Sequence, residues 1–260
     1  MSELVFNVVD ELRREEDSLR DRFGKEFVVT YKDNRLHGVL KGAIKPDAGL
    51  VKAVYEAWCV LALINLTKPE RVVDPSYEEF KVNCGFWFKR RFRRCGVHWS
   101  RADGSPIRDQ VPVNVIWETL DSKVYSLAFQ LDSGLTALSP EQRAWFKSVA
   151  LGRVWSLGGY LMEDGVRLRP DFLLYRRWVE NVVDFRNRRL PEVDILVNVE
   201  AKAGWSKDRA LVKKLEEYTE AFKPKDGAFV VSLHDETPMF KCKFEVIPAG
   251  LDKNRLRELL

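Results

Sequence analysis

Two short stretches in the second half of the chain combine carboxylates with a lysine at the ends of apolar runs, Arg169-Pro170-Asp171 and Glu200-Ala201-Lys202. Residues 193–202 alternate apolar and polar side chains, so Glu200 and Lys202 share one face of a predicted strand whose other face is buried. Asp171 belongs to a second strand-like run, residues 166–175. If the two strands pair, their carboxylates meet beside an ammonium, and carboxylate oxygens are the ligands that Mg²⁺ and Mn²⁺ prefer.

Short motifs of this kind also arise by chance, so the predicted elements around each motif have to show which motifs could form a site. The chain has another Pro-Asp dipeptide, Pro46-Asp47, and two other acid-any-Lys triplets, which begin at Glu79 and Asp121. Asp47 precedes a helical run and has the position of an N-cap, whereas Glu79 and Asp121 fall near predicted turns. Asp171 and Glu200 form the one pairing in which both halves lie on predicted strands. A surface ion pair at a strand end stays open as the alternative interpretation.

The pairing of Pro170-Asp171 with Glu200-Ala201-Lys202 resembles the PD-(D/E)xK nuclease superfamily, to which many restriction enzymes and RecB-type nucleases belong. In the helical run that follows, Lys214 and Tyr218 take the positions of the Gln-x-x-x-Tyr motif of RecB-like members, with Lys in place of Gln. A strand at residues 227–233 completes the strand, strand, helix, strand order of the superfamily core. The resemblance implies an α/β restriction-endonuclease-like fold, a mixed sheet core flanked by helices, with an N-terminal helix and hairpin region and a β-rich insertion.

A third motif lies far upstream, where Tyr55-Glu56-Ala57-Trp58 resembles the Tyr-Glu-x-Trp helix of McrC-like restriction components. Lys52 and Glu56 are the only charges in the predicted helix of residues 50–66. A carboxylate on so apolar a helix is costly unless a cation or hydrogen-bond donors meet it. We therefore expect Glu56 at the metal site. Two alternatives stay open. Glu56 could lie at the rim of the protein core, where it is solvated or paired with an arginine, or the upstream acid could be Glu141 in a second predicted helix.

The resemblance implies a nuclease that hydrolyses phosphodiester bonds, of DNA more than of RNA, with Mg²⁺ or Mn²⁺ as cofactor. The implied metal ligands are Asp171, Glu200, the Ala201 carbonyl and Glu56, an all-oxygen set that suits these ions better than zinc. Lys202 would orient the attacking water and help to deprotonate it. Two other classes stay open: a nucleic-acid-binding module on the same fold without activity, and a scaffold whose acidic residues are structural.

Cations interleaved with aromatic rings make residues 86–94 the best candidate for contacting nucleic acid. Lys and Arg neutralise phosphates while the rings stack on exposed bases, but a strand with packed rings and solvated cations explains the pattern equally well. A second basic stretch, residues 186–189, lies between the two motif strands, where a loop would reach the backbone. The predicted nucleic-acid-binding residues are Lys89, Arg90, Arg91, Arg93, Arg94, Arg188, Arg189, Lys214 and Tyr218.

Composition predicts a globular protein, because 45% of the 260 residues are apolar and 12% are aromatic. Because the net charge is only +4, a polyanion would have to bind to local basic patches and not to the surface as a whole. Charged residues reach 32%, and glutamine is rare, a balance typical of proteins from hot environments. The absence of a long apolar run and the acidic N-terminal region predict a cytoplasmic protein with no membrane contact.

Periodicity and turn residues predict the layout of the chain. The predicted helices span residues 3–23, 50–66 and 139–157, with a hairpin at 26–40, a mostly β segment at 80–131 and a second hairpin at 160–175. We expect an N-terminal region, residues 1–138, that contributes its helix 50–66 to a nuclease core of residues 139–260. The cysteines form no CxxC pair, so free thiols are expected. Zinc binding by Cys84, Cys95 and His98 is a weak alternative, since a fourth ligand is missing.

Overall fold

A computed structural model describes residues 2–24, 42, 48–73, 99–100, 106–107, 110–113, 115–129, 170–184, 192–239 and 241–260. The helices in these ranges are α1 (Ser2–Phe23), α2 (Ala48–Leu66) and α3 (Arg209–Phe222), with short 3-10 helices at Trp205–Lys207 and Lys253–Leu259. The strands are β1 (Pro69–Val73), β2 (Trp99–Ser100), β3 (Pro106–Ile107), β4 (Gln110–Pro112), β5 (Val115–Thr119), β6 (Val124–Phe129), β7 (Phe172–Tyr175), β8 (Asn181–Asp184), β9 (Ile195–Glu200), β10 (Gly227–Ser232) and β11 (Glu245–Ile247).

Seven strands form one mixed sheet in the order β1-β5-β6-β7-β9-β10-β11. Neighbours from β1 to β9 run antiparallel, whereas β10 is parallel to β9 and β11 is parallel to β10. The parallel step from β9 to β10 needs a crossover, which α3 supplies. The pairs β2–β3 and β4–β8 lie in two smaller sheets. The predicted α/β class with a mixed sheet is therefore confirmed.

The central strand β9 is buried along its whole length. Ile195, Val197 and Val199 belong to the apolar cluster that contains α1 and α2, and Leu196 belongs to the cluster that contains α3. Helices on both faces of a sheet favour continuous apolar strands, so the polar residues of β9 are the exceptions. A buried carboxylate such as Glu200 is tolerated only with a partner, and its partner lies on α2.

Helix α2 is apolar on nearly all sides, and the residues from Val54 to Ile64 are all buried. A polar network fixes its position. Glu15 on α1 accepts hydrogen bonds from Lys253 Nζ at 2.7 Å and from Asn65 Nδ2 at 2.7 Å. The network ties α1, α2 and the last 3-10 helix together, and so sets where the polar residues of α2 lie relative to the sheet.

The structure corrects the predicted ends of β9. The alternating pattern predicted a strand at 193–202, but β9 spans Ile195–Glu200. At its start, the Asp194 carboxylate accepts hydrogen bonds from Arg176 N and the Arg177 guanidinium, and the chain bends there. At its end, Gly204 adopts a left-handed conformation with φ 80° and turns the chain into a 3-10 helix.

Several predicted elements lie outside the described residues, among them the hairpin at 26–40, the helix at 139–157 and the predicted boundary at 138/139. Strands from both sides of that boundary belong to the same seven-stranded sheet. Cys59 is a free, buried thiol, as expected, whereas Cys84, Cys95 and His98 are outside the described ranges. None of the described helices has the length and hydropathy needed to span a membrane.

Candidate functional site

Three acidic side chains from separate elements converge on one ammonium group, Nζ of Lys52. The distances from Nζ are 3.4 Å to Asp171 Oδ2, 3.6 Å to Glu200 Oε1 and 3.7 Å to Glu56 Oε1. The three acidic side chains are 14%, 9% and 5% exposed, in that order. The structure thus brings together Glu56, Asp171 and Glu200, which we call the carboxylate cluster, although Glu56 lies far upstream in the sequence.

Two neighbouring strands and one helix position these groups. Strand β7 runs antiparallel to β9 with Phe172 opposite Val197, so Asp171, just before β7, lies beside the end of β9, where Glu200 is the last residue. Asp171 Oδ2 accepts a hydrogen bond from the Val199 amide at 2.7 Å, which fixes its orientation. Helix α2 contributes Lys52 and Glu56, one turn apart on the same face of the helix.

The Lys52 ammonium lies between the three carboxylates and forms an ion pair with each of them. Each of its three distances exceeds the roughly 2.7–2.9 Å of a charge-assisted hydrogen bond. Burial alone would lower the pKa of Lys52, but Asp171, Glu200 and Glu56 outweigh that effect and hold the pKa above its ordinary value. Lys52 is therefore charged at neutral pH, and its single positive charge faces three acids.

Burial is the main reason why the pKa of Glu200 is raised above its ordinary value, and the negative charge of Asp171 acts in the same direction. The Lys52 ammonium opposes this effect but does not cancel it. The environment of Glu200 therefore disfavours its charged form in the metal-free protein. A buried carboxylate in that condition gains from any further cation that approaches it.

The donor set suits Mg²⁺ or Mn²⁺, because it consists of carboxylate oxygens that reach one point from three directions. Among the described residues, however, no group of three or more His, Cys, Asp and Glu side chains is close enough to hold a metal ion as it stands. The oxygens surround an ammonium at 3.4–3.7 Å, and Mg²⁺ takes its ligands at about 2.0–2.1 Å. To hold the ion directly, the side chains would have to draw inward by roughly 1.5 Å.

The motif predicts Lys202 as the lysine of the site. Lys202 is exposed, in a bend two residues after β9, and it makes no ion pair with a carboxylate in the part of the chain that the structure describes. The prediction that the strand continues to Lys202 on the face of Glu200 is wrong, because the chain leaves the sheet after Glu200. Among the residues that the structure describes, the lysine that forms ion pairs with the carboxylate cluster is Lys52. The sequence signal for it was the spacing of Lys52 and Glu56 on an apolar helix.

The segment that carries Ala201 and Lys202 is held by residues that follow β10. His234 Nε2 is 3.2 Å from the Ala201 carbonyl oxygen. The Glu236 carboxylate accepts hydrogen bonds from the Gly204 amide at 2.7 and 2.8 Å, and one from Ser206 Oγ at 3.3 Å. The Gly204 amide is the main reason why the pKa of Glu236 lies below its ordinary value. Glu236 therefore stabilises the turn after Glu200 while it is ionised.

The turn is expected to loosen in acid through Glu236. Because the folded-state pKa of Glu236 is lowered from 4.5, its stabilising effect is complete above about pH 4.5 and is lost as the pH falls through the lowered value. Glu236→Gln should therefore lower the thermal unfolding temperature at pH 7, and the difference from wild type should shrink toward pH 3. Thermal unfolding followed from pH 3 to pH 7 measures this. A difference that stays constant over the range would contradict the assignment.

The predicted nucleic-acid contacts fall into two groups. On α3, Tyr218 is 3% exposed and belongs to the apolar cluster beneath the helix. Lys214 is exposed, and its Nζ lies 5.7 Å from the Tyr218 ring centroid. Lys214 is thus the member of this pair that a nucleic acid can reach. The other predicted contacts lie outside the described residues: Lys89, Arg90, Arg91, Arg93, Arg94, Arg188 and Arg189.

Comparisons of the chain with protein-family models, with curated proteins and with solved structures find no match. Function therefore has to be inferred from the residues and their geometry. Two features carry that inference: the carboxylate cluster at the ends of two paired strands, and the order of the elements that build it.

Proposed function

We propose that this protein is a divalent-metal-dependent nuclease of the PD-(D/E)xK type, which hydrolyses phosphodiester bonds, of DNA before RNA. The convergence of Glu56, Asp171 and Glu200 at the ends of adjacent strands carries the proposal. Asp171 and Glu200 come from the two halves of the motif, and Glu56 comes from the upstream motif. Two buried carboxylates and a partly buried third that face one point are costly for a fold to keep, so a cation-binding role accounts for them better than a solvated surface pair.

The element order supports the same proposal. If β1 to β5 and β8 are left out, α2, β6, β7, β9, α3 and β10 follow one another as helix, strand, strand, strand, helix and strand. Strand β7 runs antiparallel to both of its neighbours in the sheet, β6 and β9. Strand β10 then lies parallel to β9. Within this order, β7, β9, α3 and β10 have the strand, strand, helix, strand order expected for the superfamily core, and α2 is the first core helix under this proposal because it supplies Glu56. The alternative acid, Glu141, lies outside the described residues.

Each residue of the site has a role that its position supports. Asp171, Glu200 and the Ala201 carbonyl would hold the metal, with Glu56 as a direct or water-bridged ligand. The carbonyl retains a lone pair for this even with His234 beside it. The bound ion would stabilise charge on the phosphoryl oxygens and supply an activated water.

The lysines near the site would act on the substrate and the water. Lys202, two residues past Glu200 and exposed, would orient the attacking water and offset charge at the scissile phosphate. Lys214, exposed on α3, would contact the phosphate backbone. Both lysines are free to move toward a bound polyanion because neither is buried.

One observation favours a second candidate function, a nucleic-acid-binding module without activity. The Lys52 ammonium already neutralises part of the carboxylate cluster, as it would in a cluster whose role is structural. Under this second candidate, the protein binds nucleic acid with the same affinity with and without Mg²⁺ and does not cleave it.

A cleavage assay separates the two candidates. Purified protein is incubated with linear duplex, circular duplex, single-stranded and branched DNA and with RNA, each with Mg²⁺, with Mn²⁺ and with EDTA. The nuclease proposal expects products in the metal lanes alone, and the pattern of substrates shows whether cutting starts at ends. Binding to any of these substrates without products in every metal lane would support the second candidate.

Neutralising the basic segment is expected to weaken nucleic-acid binding and to flatten its salt dependence. Changing Arg90, Arg91, Arg93 and Arg94 to Gln removes up to four phosphate contacts, and each lost contact lowers the slope of log affinity against log salt by roughly 0.9 on duplex DNA. Titrations of a labelled duplex in EDTA at several salt concentrations measure the slope. An unchanged slope would identify the segment as a solvated strand face, and Mn²⁺ affinity should be unaffected in either case.

A further inference from the structure

A cation of the protein itself occupies the point where the three carboxylates meet. We propose that Lys52 is an internal competitor of the divalent ion: its ammonium holds the carboxylate cluster together in the metal-free protein, and a metal ion binds there by displacing it. The inference rests on the proposed metal-dependent function and concerns how the metal enters the same site.

The geometry makes simultaneous occupancy unfavourable. Nζ lies within 3.4–3.7 Å of one oxygen from each acid, so a metal ion that binds those oxygens takes the space that the ammonium holds. Two cations on the same three oxygens would lie only a few ångströms apart, at a distance where like charges repel strongly in a partly buried site. The ammonium and the metal ion are therefore alternatives.

Lys52 can leave without any movement of the backbone. Its side chain is 37% exposed, whereas those of the three acids are 5–14% exposed. A lysine has a flexible stem of four carbons, so Nζ can swing into solvent while α2 stays in place. The carboxylates remain in the site, and the exposed side of Lys52 gives the entering ion a path to them.

If the two cations compete, removing the Lys52 charge should lower the stability of the metal-free protein and raise its affinity for Mn²⁺. Without its ammonium, the metal-free cluster consists of three mutually repelling acids, so Lys52→Met should unfold at a lower temperature in EDTA. The same variant should bind Mn²⁺ more tightly, because no charge has to be displaced. We expect the Mn²⁺ affinity to rise at least about tenfold. One nearby positive charge changes the affinity of a carboxylate for a proton by roughly 10- to 1000-fold.

Calorimetric Mn²⁺ titration of wild type, Lys52→Met, Lys52→Arg and Lys213→Met tests the proposal. Lys52→Arg keeps the charge and should bind Mn²⁺ as weakly as wild type. Lys213→Met removes an exposed lysine of α3 that has no assigned role, so it is the control for losing one positive charge and should bind Mn²⁺ within about twofold of wild type. Saturating Mn²⁺ should also restore the unfolding temperature of Lys52→Met. Equal or weaker Mn²⁺ binding by Lys52→Met would overturn the proposal.

A second measurement works on the unaltered protein and does not depend on any variant folding. Amine acetylation followed by mass spectrometry reports how available each lysine is. The modification rate of Lys52 should be low in EDTA and rise with saturating Mn²⁺, while the rate at the exposed Lys213 stays the same. A Lys52 rate that does not respond to saturating Mn²⁺ would overturn the displacement.

The outcomes also distinguish this inference from the proposed function. If wild type binds Mn²⁺ and cleaves DNA while Lys52→Met gains no affinity, the competition is wrong and the nuclease stands. If Lys52→Met alone binds Mn²⁺, the competition stands and the wild-type protein is the inactive module. If neither protein binds Mn²⁺, the metal-dependent function fails and the competition is overturned with it.

Discussion

Asp171→Asn and Glu200→Gln are each expected to reduce metal-dependent cleavage by at least about 10²–10³-fold. Each change removes a negative oxygen from the set that would hold the metal, and a bound metal contributes several kcal/mol of transition-state stabilisation, at about 1.4 kcal/mol per tenfold in rate. Lys202→Ala should abolish cleavage as well, since it removes the group that would orient the water. Single-turnover cleavage with excess protein measures the rates.

The same variants should remain folded. Because the pKa of Glu200 is raised by burial and by Asp171, its charged form is disfavoured in the metal-free protein, and the neutral isostere Gln should keep or raise the unfolding temperature in EDTA. Asp235→Asn, an exposed change near the turn after β10, is a suitable control and should cleave at the wild-type rate. A wild-type rate in Asp171→Asn or in Glu200→Gln would rule out the assigned metal site.

Asp194→Ala is expected to lower the free energy of unfolding by about 2–4 kcal/mol while cleavage per folded molecule is unchanged. Asp194 is 3% exposed and accepts hydrogen bonds from Arg176 N at 2.8 Å and from Arg177 Nη1 at 2.5 and 2.6 Å. Breaking a buried pair typically costs about 3–5 kcal/mol. Because the Arg177 side chain is 42% exposed, solvent compensates part of that cost.

Asp226→Ala is the matched control for Asp194→Ala. Asp226 pairs with Arg176 at 3.2 Å, and the two side chains are 33% and 36% exposed, so its loss should cost less than about 1 kcal/mol. Urea unfolding of the two variants beside wild type gives both values. If Asp226→Ala costs as much as Asp194→Ala, burial is not what makes Asp194 important at this end of β9.

Local sequence patterns were sufficient to predict the elements that build the site. The helical period predicted α3, and the turn predicted near Asp121 lies between β5 and β6 in the structure. The apolar alternation predicted β9 but not its ends. Those depend on Asp194 and Gly204, whose partners Arg177 and Glu236 are distant in the sequence.

The lysine that pairs with the carboxylate cluster could not be predicted from the motif, because contact between distant segments depends on packing. Lys52 and Lys202 have the same chemistry, and the motif favoured Lys202, two residues after Glu200. Which ammonium meets the acids is decided by how α2 packs on β9, and Glu15, Asn65 and Lys253 help to set that packing. No local pattern reports those contacts.

The order of the seven-stranded sheet has a consequence for dividing this chain into fragments. Strand β7 is hydrogen-bonded to β6 on one edge and to β9 on the other. Strand β6 precedes the predicted boundary at 138/139. A fragment that begins at residue 139 would present β7, whose four residues are all buried in the intact sheet, as an open edge. Unpaired amide and carbonyl groups on an apolar edge recruit other strands, so such a fragment would tend to self-associate. It would also lack Glu56 and Lys52.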